Sequence, residues 1–332
     1  MAANQITVDS EESSDFSDAG YAESTSTSYL TSIASSILRG VDENGRTYAS
    51  YGKTLQGMPI DEQEQDRNDL QHAKFMLLLK GQLHLAPIGE DPQKILDIGT
   101  GSGIWAIDMA DKYPSASVTG VDLAPTQPTW VPSNLQFEIE DVEEDWLFRQ
   151  DSFDFIFGRE LLMAIRDWPR LIQQAYDHLK PGGYLELEMT YPKTYCEDNS
   201  IDLETSAYAE SARLLFECGR QMNVPWEAPL EWKENFKAVG FEDVTETILP
   251  IPIGRWPKDK DLKKVGAFEL ANIDQGLDSF LLRGFTSALQ RSESELKILT
   301  ALARKELFNP RHHMNVKFII VHGRKPAAPT TS

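Results

Sequence analysis

Cysteine is nearly absent from this chain: Cys196 and Cys218 are the only two in 332 residues. That excludes a disulfide framework and fits a reducing compartment, where each thiol reads as a small buried hydrophobe. Neither has metal-ligand spacing. His312-His313 are adjacent and lack a neighbouring Cys or carboxylate cluster, so no metal site is expected. Positive charge is also scarce, with 32 Lys and Arg against 52 Asp and Glu and a net charge of −20. Binding phosphate backbones needs clustered cations, so no direct nucleic-acid partner is expected. The one basic cluster, residues 258–264, is diluted by two Asp and reads as a solvated helix start. No apolar run reaches membrane length and nothing resembles a signal peptide. No membrane partner is expected, and the location read from this is cytoplasmic, with the nucleus as a second site.

What is present is organised around glycine. Lys94-Ile95-Leu96-Asp97-Ile98 reads as a buried strand, Gly99-Thr100-Gly101-Ser102-Gly103 as a turn, and the next residues to about 112 as a helix. Such a turn lets backbone N–H groups approach a ligand, with a helix N-terminus behind them. A dinucleotide fingerprint would carry its third glycine one position later, where Ile104 stands. The G-x-G-x-G spacing, with Asp97 two residues ahead, resembles motif I of class I S-adenosylmethionine-dependent methyltransferases.

The following landmarks keep the order of that class. Residues 116–123 read as a second strand with Asp122 at its tip, about twenty residues past the turn, where a carboxylate can accept both ribose hydroxyls. Residues 135–139 form a third strand leading to Asp141-Val142, which the resemblance assigns to the adenine amino group and ring. A fourth, 153–157, ends at Gly158-Arg159, and a fifth, 184–189, follows Leu179-Lys180-Pro181-Gly182-Gly183. Residues 244–251 and 316–322 complete seven. The expected fold is therefore α/β: a Rossmann-like, mostly parallel seven-stranded sheet with helices on both faces and a helical cap.

The resemblance narrows further. Asn44-Gly45-Arg46-Thr47-Tyr48, Asp61-Glu62-Gln63-Glu64-Gln65-Asp66-Arg67, Leu83-His84-Leu85-Ala86-Pro87, Gln127-Pro128-Thr129-Trp130, Asp167-Trp168-Pro169, Trp256-Pro257-Lys258 and Gly323-Arg324-Lys325-Pro326 are similar to the fungal LaeA-like methyltransferases. The matches span most of residues 40–326. Two positions depart: the family commonly has His-Ala-Arg where this chain has Phe157-Gly158-Arg159, and Tyr-His where it has Tyr48-Ala49. The resemblance implies S-adenosyl-L-methionine as methyl donor. Asp97, Gly99, Thr100, Gly101 and Gly103 would cradle its methionine and ribose, Asp122 and Leu123 its ribose, and Asp141 and Val142 its adenine. Arg159 would pair with the donor's carboxylate or with an anionic acceptor, or else hold its loop through Glu160. Methyl transfer from a sulfonium needs alignment more than covalent help, so no catalytic residue is assigned. The implied activity is O- or N-methylation of a small secondary metabolite. The alternative is regulation through protein partners, as a protein methylase or a non-catalytic scaffold, or as one subunit of a homo- or heterodimer.

Residues 1–28 are acidic and Ser-rich and are expected to be a disordered tail. Residues 29–90 read as a helical arm or lid, with a helix over 61–85 whose Leu70, Phe75, Leu77, Leu78 and Leu79 form the apolar face. Arg67 and His72 on this arm are acceptor-side candidates, against the plainer readings of a surface charge and a packed histidine. Tyr48 and Tyr51 would wall the sulfonium or simply pack the arm. Trp105, Trp130, Trp146 and Trp168 read as core and rim aromatics. The methyltransferase domain is set at 91–326, with cap insertions at about 195–225 and 255–312 and a flexible tail at 327–332.

Overall fold

The computed structural model describes residues 40–52, 58–161 and 163–327. The tail expected over 1–28 and residues 328–332 lie outside the described residues. Nine strands are described: β1 (Val41–Glu43), β2 (Arg46–Tyr48), β3 (Lys94–Ile98), β4 (Ser117–Asp122), β5 (Leu135–Ile139), β6 (Phe153–Arg159), β7 (Leu179–Tyr195), β8 (Glu242–Pro252) and β9 (Asn315–Arg324). The α-helices are α1 (Glu62–Leu78), α2 (Ile104–Lys112), α3 (Trp168–His178), α4 (Ala207–Met222), α5 (Trp232–Val239), α6 (Lys260–Arg283) and α7 (Glu293–Leu307).

Strands β3 to β9 form one seven-stranded sheet in the order β5-β4-β3-β6-β7-β9-β8. Five strands run parallel, and β9 lies antiparallel between β7 and β8. Chain order reverses between β3 and β6, and the crevice outside the carboxyl ends of these strands is where such sheets bind ligands. Ile95, Leu96 and Ile98 of β3 are fully buried, as a parallel strand covered on both faces requires. One face packs α2 through Trp105, Ala106 and Met109, and the other carries α3, α5 and the cap.

The arm departs from its expected form in three ways. It opens with a hairpin, β1–β2, around Asn44-Gly45, both with positive φ (52° and 75°), the pairing a tight twisted turn demands. Helix α1 stops at Leu78, short of 85, because Lys80 and Gly81 turn left-handed and the Gly81 N–H reaches back 2.7 Å to the Met76 carbonyl. Its buried face is largely polar: Glu64, Arg67, Gln71, His72 and Lys74 are all covered beside Phe75; Leu79, just past the helix, is buried as expected, whereas Leu70, Leu77 and Leu78 are only half-buried.

Helix α6 accounts for this. Lys74 donates to Glu269 at 2.7 Å, both essentially buried, and Arg67 pairs with Glu64 and donates to Asn272 at 2.7 Å. Arg46 of the hairpin clasps Asp61, the N-cap of α1, through two nitrogens. Arg283 at the end of α6 pairs with Glu43. Arm and cap are thus one packed body, and breaking a buried pair on one side leaves an uncompensated charge. The cap is α4, α6 and α7 with a short π turn, Gly284–Ala288, between the last two. Trp130, expected in the core or rim, is 92% exposed, on the surface loop between β4 and β5.

Candidate active site

Three hollows meet at the carboxyl ends of β3, β4 and β6. An outer cleft runs from the glycine turn past β4 to Asp141, an inner pocket lies behind the turn, and a third cavity sits beneath the cap. Gln71 of α1 and Glu160, just past β6, line all three.

The glycine turn is braced from β4. The Asp122 carboxylate accepts from the Gly101 N–H at 2.8 Å and from the Ala124 N–H at 3.1 Å, tying the two strand tips together. The Thr100 N–H bonds the Val121 carbonyl at 2.9 Å. Gly101 has φ +58°, and a Cβ there would meet only Asn68, at 3.6 Å, so its open side faces α1. Asp97 is buried beneath the turn and accepts from the Thr100 hydroxyl at 2.5 Å. Burial pushes its carboxyl up to about 7; Thr100 and Arg159 pull the other way, and Asp122 adds to the rise. Burial raises Asp122 as well.

Arg159 closes the inner pocket. Its guanidinium lies over the Phe75 ring, 4.9 Å from the centroid. Its Nη2 donates to His72 Nδ1 at 2.8 Å, which leaves the histidine proton on Nε2 to donate to Asp108 at 2.9 Å. Asp108, His72 and Arg159 therefore form a chain that aims the guanidinium. The Nη1 atom is buried and makes no hydrogen bond among the described residues, and Glu188 lies 3.8 Å from it. A buried guanidinium nitrogen left open in a polar pocket fits a carboxylate ligand. Glu188 and Glu186 are buried side by side on β7; burial raises both, Glu186 to about 7, and the charge of Glu186 lifts Glu188 further, while the Leu85 and Ala86 N–H groups and Arg159 pull Glu186 down.

Gly99, Gly101, Asp122, Leu123, Asp141 and Val142 line the outer cleft, and Asp97, Thr100 and Arg159 line the inner pocket with Gly99 and Gly101. Gly103 lines none of the three hollows. It turns left-handed at φ +82°, and a Cβ there would strike the Phe137 ring at 2.4 Å. Tyr48 and Tyr51 line none either. Arg283 lies over the Tyr48 ring, 4.0 Å from its centroid, because the hairpin packs against α6, while Tyr51 is 37% exposed. Sequence reasoning missed Asn68, Gln71, Met58 and Ile60 of the arm and Leu161 and Ile165 after β6, which complete the cleft. Nothing in their residue types marks them.

The departure at Phe157 has a structural account. Its ring stacks on Trp105 at 3.8 Å and 5°, and the Trp105 indole donates to the Leu83 carbonyl at 2.7 Å. Gly158 packs so closely that a Cβ would lie 2.8 Å from Ile98 Cγ1.

A glycine turn braced by one acid, with further carboxylates at successive strand tips of this sheet, defines a nucleotide-type donor site on the methyltransferase architecture. Residues 70–246, more than half the chain, match the model of the methyltransferase domain family. The chain is 37% identical over 303 residues to the methyltransferase pytC of Aspergillus terreus, covering 90% of this chain and 92% of that protein. It is 33% identical to the secondary metabolism regulator LAE1 of Cochliobolus heterostrophus, covering 86% and 94%. It is 30% identical to the protein-methionine methyltransferase laeA of Emericella nidulans, covering 86% and 76%. The chain belongs to the LaeA-like methyltransferase family, and it is an S-adenosylmethionine-dependent methyltransferase with the class I sheet. Among the described residues no helix is long and apolar enough to cross a membrane.

Proposed function

We propose that the chain transfers a methyl group from S-adenosylmethionine to an oxygen or nitrogen of a small secondary metabolite. The cavity beneath the cap carries this reading. It is a half-open hollow of about 640 Å³, counting the solvent at its mouth, and touches the donor cleft at Gln71 and Glu160. Leu215, Trp226, Ile273, Leu277, Phe280 and Val316 stand in its wall and give it the apolar character of a small-molecule pocket.

In this reading the donor's adenine lies by Asp141 and Val142, its ribose by Asp122 and Leu123, and its methionine part by Asp97 and the turn of Gly99, Thr100 and Gly101. Arg159 Nη1 takes its carboxylate. Gly103 acts by letting the turn seat on Phe137. The bound donor supplies an electrophilic methyl group on a sulfonium. The chain's own contribution is to hold donor and acceptor in line and exclude water, with α1 walling the cleft and the cap covering the acceptor. Radiolabelled donor incubated with the producing organism's metabolite extract, and separately with its protein extract, tests this. Label in a small molecule supports the reading, and label confined to protein overturns it.

A second reading, regulation through a protein partner, is favoured by the names of two relatives, a secondary metabolism regulator and a protein-methionine methyltransferase. Ile298 and Leu302, one turn apart on α7, and Phe308 beyond it are exposed apolar residues that suit such a partner or a second copy of the chain. Nuclear as well as cytoplasmic residence goes with this reading.

A further inference from the structure

We propose that Glu160 is the catalytic base of this enzyme and that the cap cavity takes a neutral, apolar acceptor through a hydroxyl group. The inference rests on the methyl-transfer reading and deepens it. Glu160 lines donor cleft, inner pocket and cap cavity alike, so its carboxyl stands where donor and acceptor must meet. Its backbone is held at φ +53°, a conformation that a glutamate adopts at a cost, and its N–H continues the sheet to the Glu188 carbonyl at 2.9 Å. Strain of this kind concentrates at working sites, and here it fixes one side chain at the junction.

The carboxyl itself is half committed. Oε1 accepts from the Thr190 N–H at 2.7 Å and from the Thr190 hydroxyl at 2.6 Å. Oε2 takes no hydrogen bond among the described residues, and it is not sealed off as a buried unpaired atom. Two donors on one oxygen orient the group and leave the other oxygen to receive a proton. Burial raises the carboxyl above its ordinary range, toward the operating range of a base. The charged groups around it are Lys74 from α1, Glu269 from α6, Glu188 from β7 and the adjacent Arg159. Lys74 is itself engaged by Glu269.

The cavity's chemistry selects the acceptor. Among the described residues no Lys, Arg or His lines it, and the carboxyls that do are Glu160 and Glu269. A carboxylate, a phosphate or a preformed phenolate would enter an apolar cavity bordered by acids, where the neighbouring cation, Lys74, is already paired with Glu269. A hydroxyl compound enters neutral and must lose its proton inside, which is the step that needs a base. An amine can shed its proton to water beforehand and would leave Glu160 without a task. In the transfer, the acceptor oxygen bonds the methyl carbon as the carbon–sulfur bond breaks, its electron pair passing to sulfur to give a neutral thioether. The hydroxyl proton goes to Glu160 Oε2 and later to solvent.

The test uses the full chain with naphthol, naphthylamine and naphthoate as probes, following binding by fluorescence, methyl transfer with radiolabelled donor, and the Glu160 carboxyl by carbon NMR. Naphthol should bind saturably, more tightly than naphthoate, and Leu277→Trp, which fills the cavity, should abolish that binding while donor affinity holds. Glu160→Gln keeps an acceptor for Thr190. It should lower transfer to naphthol by roughly a hundredfold or more, the usual worth of a general base, with donor affinity changed less than about threefold. Glu160→Asp should recover part of the rate. In the wild type without donor, the Glu160 carboxyl should titrate above ordinary glutamates. Undiminished transfer by Glu160→Gln, or an ordinary titration, overturns the base. Preference for naphthoate, transfer to naphthylamine alone, or no naphthol binding overturns the acceptor class. If the wild type binds no S-adenosylmethionine, the methyltransferase reading falls first; if donor binds normally, these failures concern Glu160 and the cavity only.

Discussion

Donor affinity should rise with pH through the neutral range, and Asp97 should be the cause. Burial lifts this carboxyl from 3.8 to about 7, so in the free protein near neutrality it is about half protonated. S-adenosylmethionine brings a sulfonium and an ammonium, which favour the ionised acid, so binding should expel the proton. If the bound donor returns Asp97 to an ordinary carboxylate range, affinity climbs about tenfold per pH unit below pH ~7 and levels off above it. That is about thirtyfold between pH ~5.5 and pH ~8. Calorimetry near pH ~7 in two buffers of different ionisation heat should show about half a proton released per donor bound. The stability of the free protein should run the opposite way. A carboxyl raised in the folded state stabilises below its unfolded value and loses that contribution as pH rises through about 7. Asp97→Asn should therefore match the wild type in melting temperature near pH ~4, exceed it near pH ~8, and bind donor with a flatter pH profile. Affinity that ignores pH, or an Asp97→Asn protein that keeps the wild-type slope and proton release, refutes the reasoning.

Asp122→Ala should weaken donor binding by about 1.5–3 kcal/mol in calorimetry, since it removes an acceptor at the strand tip and frees the Gly101 N–H it braces. Lys74→Met should cost about 3–5 kcal/mol in denaturant unfolding by stranding Glu269 in the cap, and Lys74→Met with Glu269→Leu should recover much of that loss. A double variant no better than the single one would show that the pair does not join arm and cap as described. Gly158→Ala should lower stability by about 1–3 kcal/mol, because its methyl would press on Ile98 and Leu161 in the middle of the sheet; an unchanged melting temperature would mean that both side chains yield freely.

The class of this protein was legible in the chain before any coordinate. Strand, glycine turn and helix are local events set by buried runs and positive φ, and βαβ geometry places the next acids at nearly fixed intervals. Hence seven strands stand where they were read, with Asp97, Asp122 and Asp141 at or beside strand ends, although β7 runs from Leu179 to Tyr195 and takes in the segment read as a turn over Leu179–Gly183. Distances across the chain were beyond that reading. The face of α1 carrying Glu64, Arg67, Gln71 and Lys74 has the pattern of a solvated surface, and only α6, some 195 residues away at Lys74–Glu269, turns it into an interior. Tyr48 read as a wall for the sulfonium or as packing of the arm; the structure buries it with Arg283 of α6 over its ring. Glu160 was an acid beside an arginine until the fold brought three hollows to it and bent its backbone to φ +53°. Local sequence determined the donor-site scaffold because hydrogen bonding and backbone sterics act between near neighbours. The cavity beneath the cap was decided by tertiary structure, because its walls come from α1, β7, α4, α6 and β9, and a burial pattern names no partner until the helices pack.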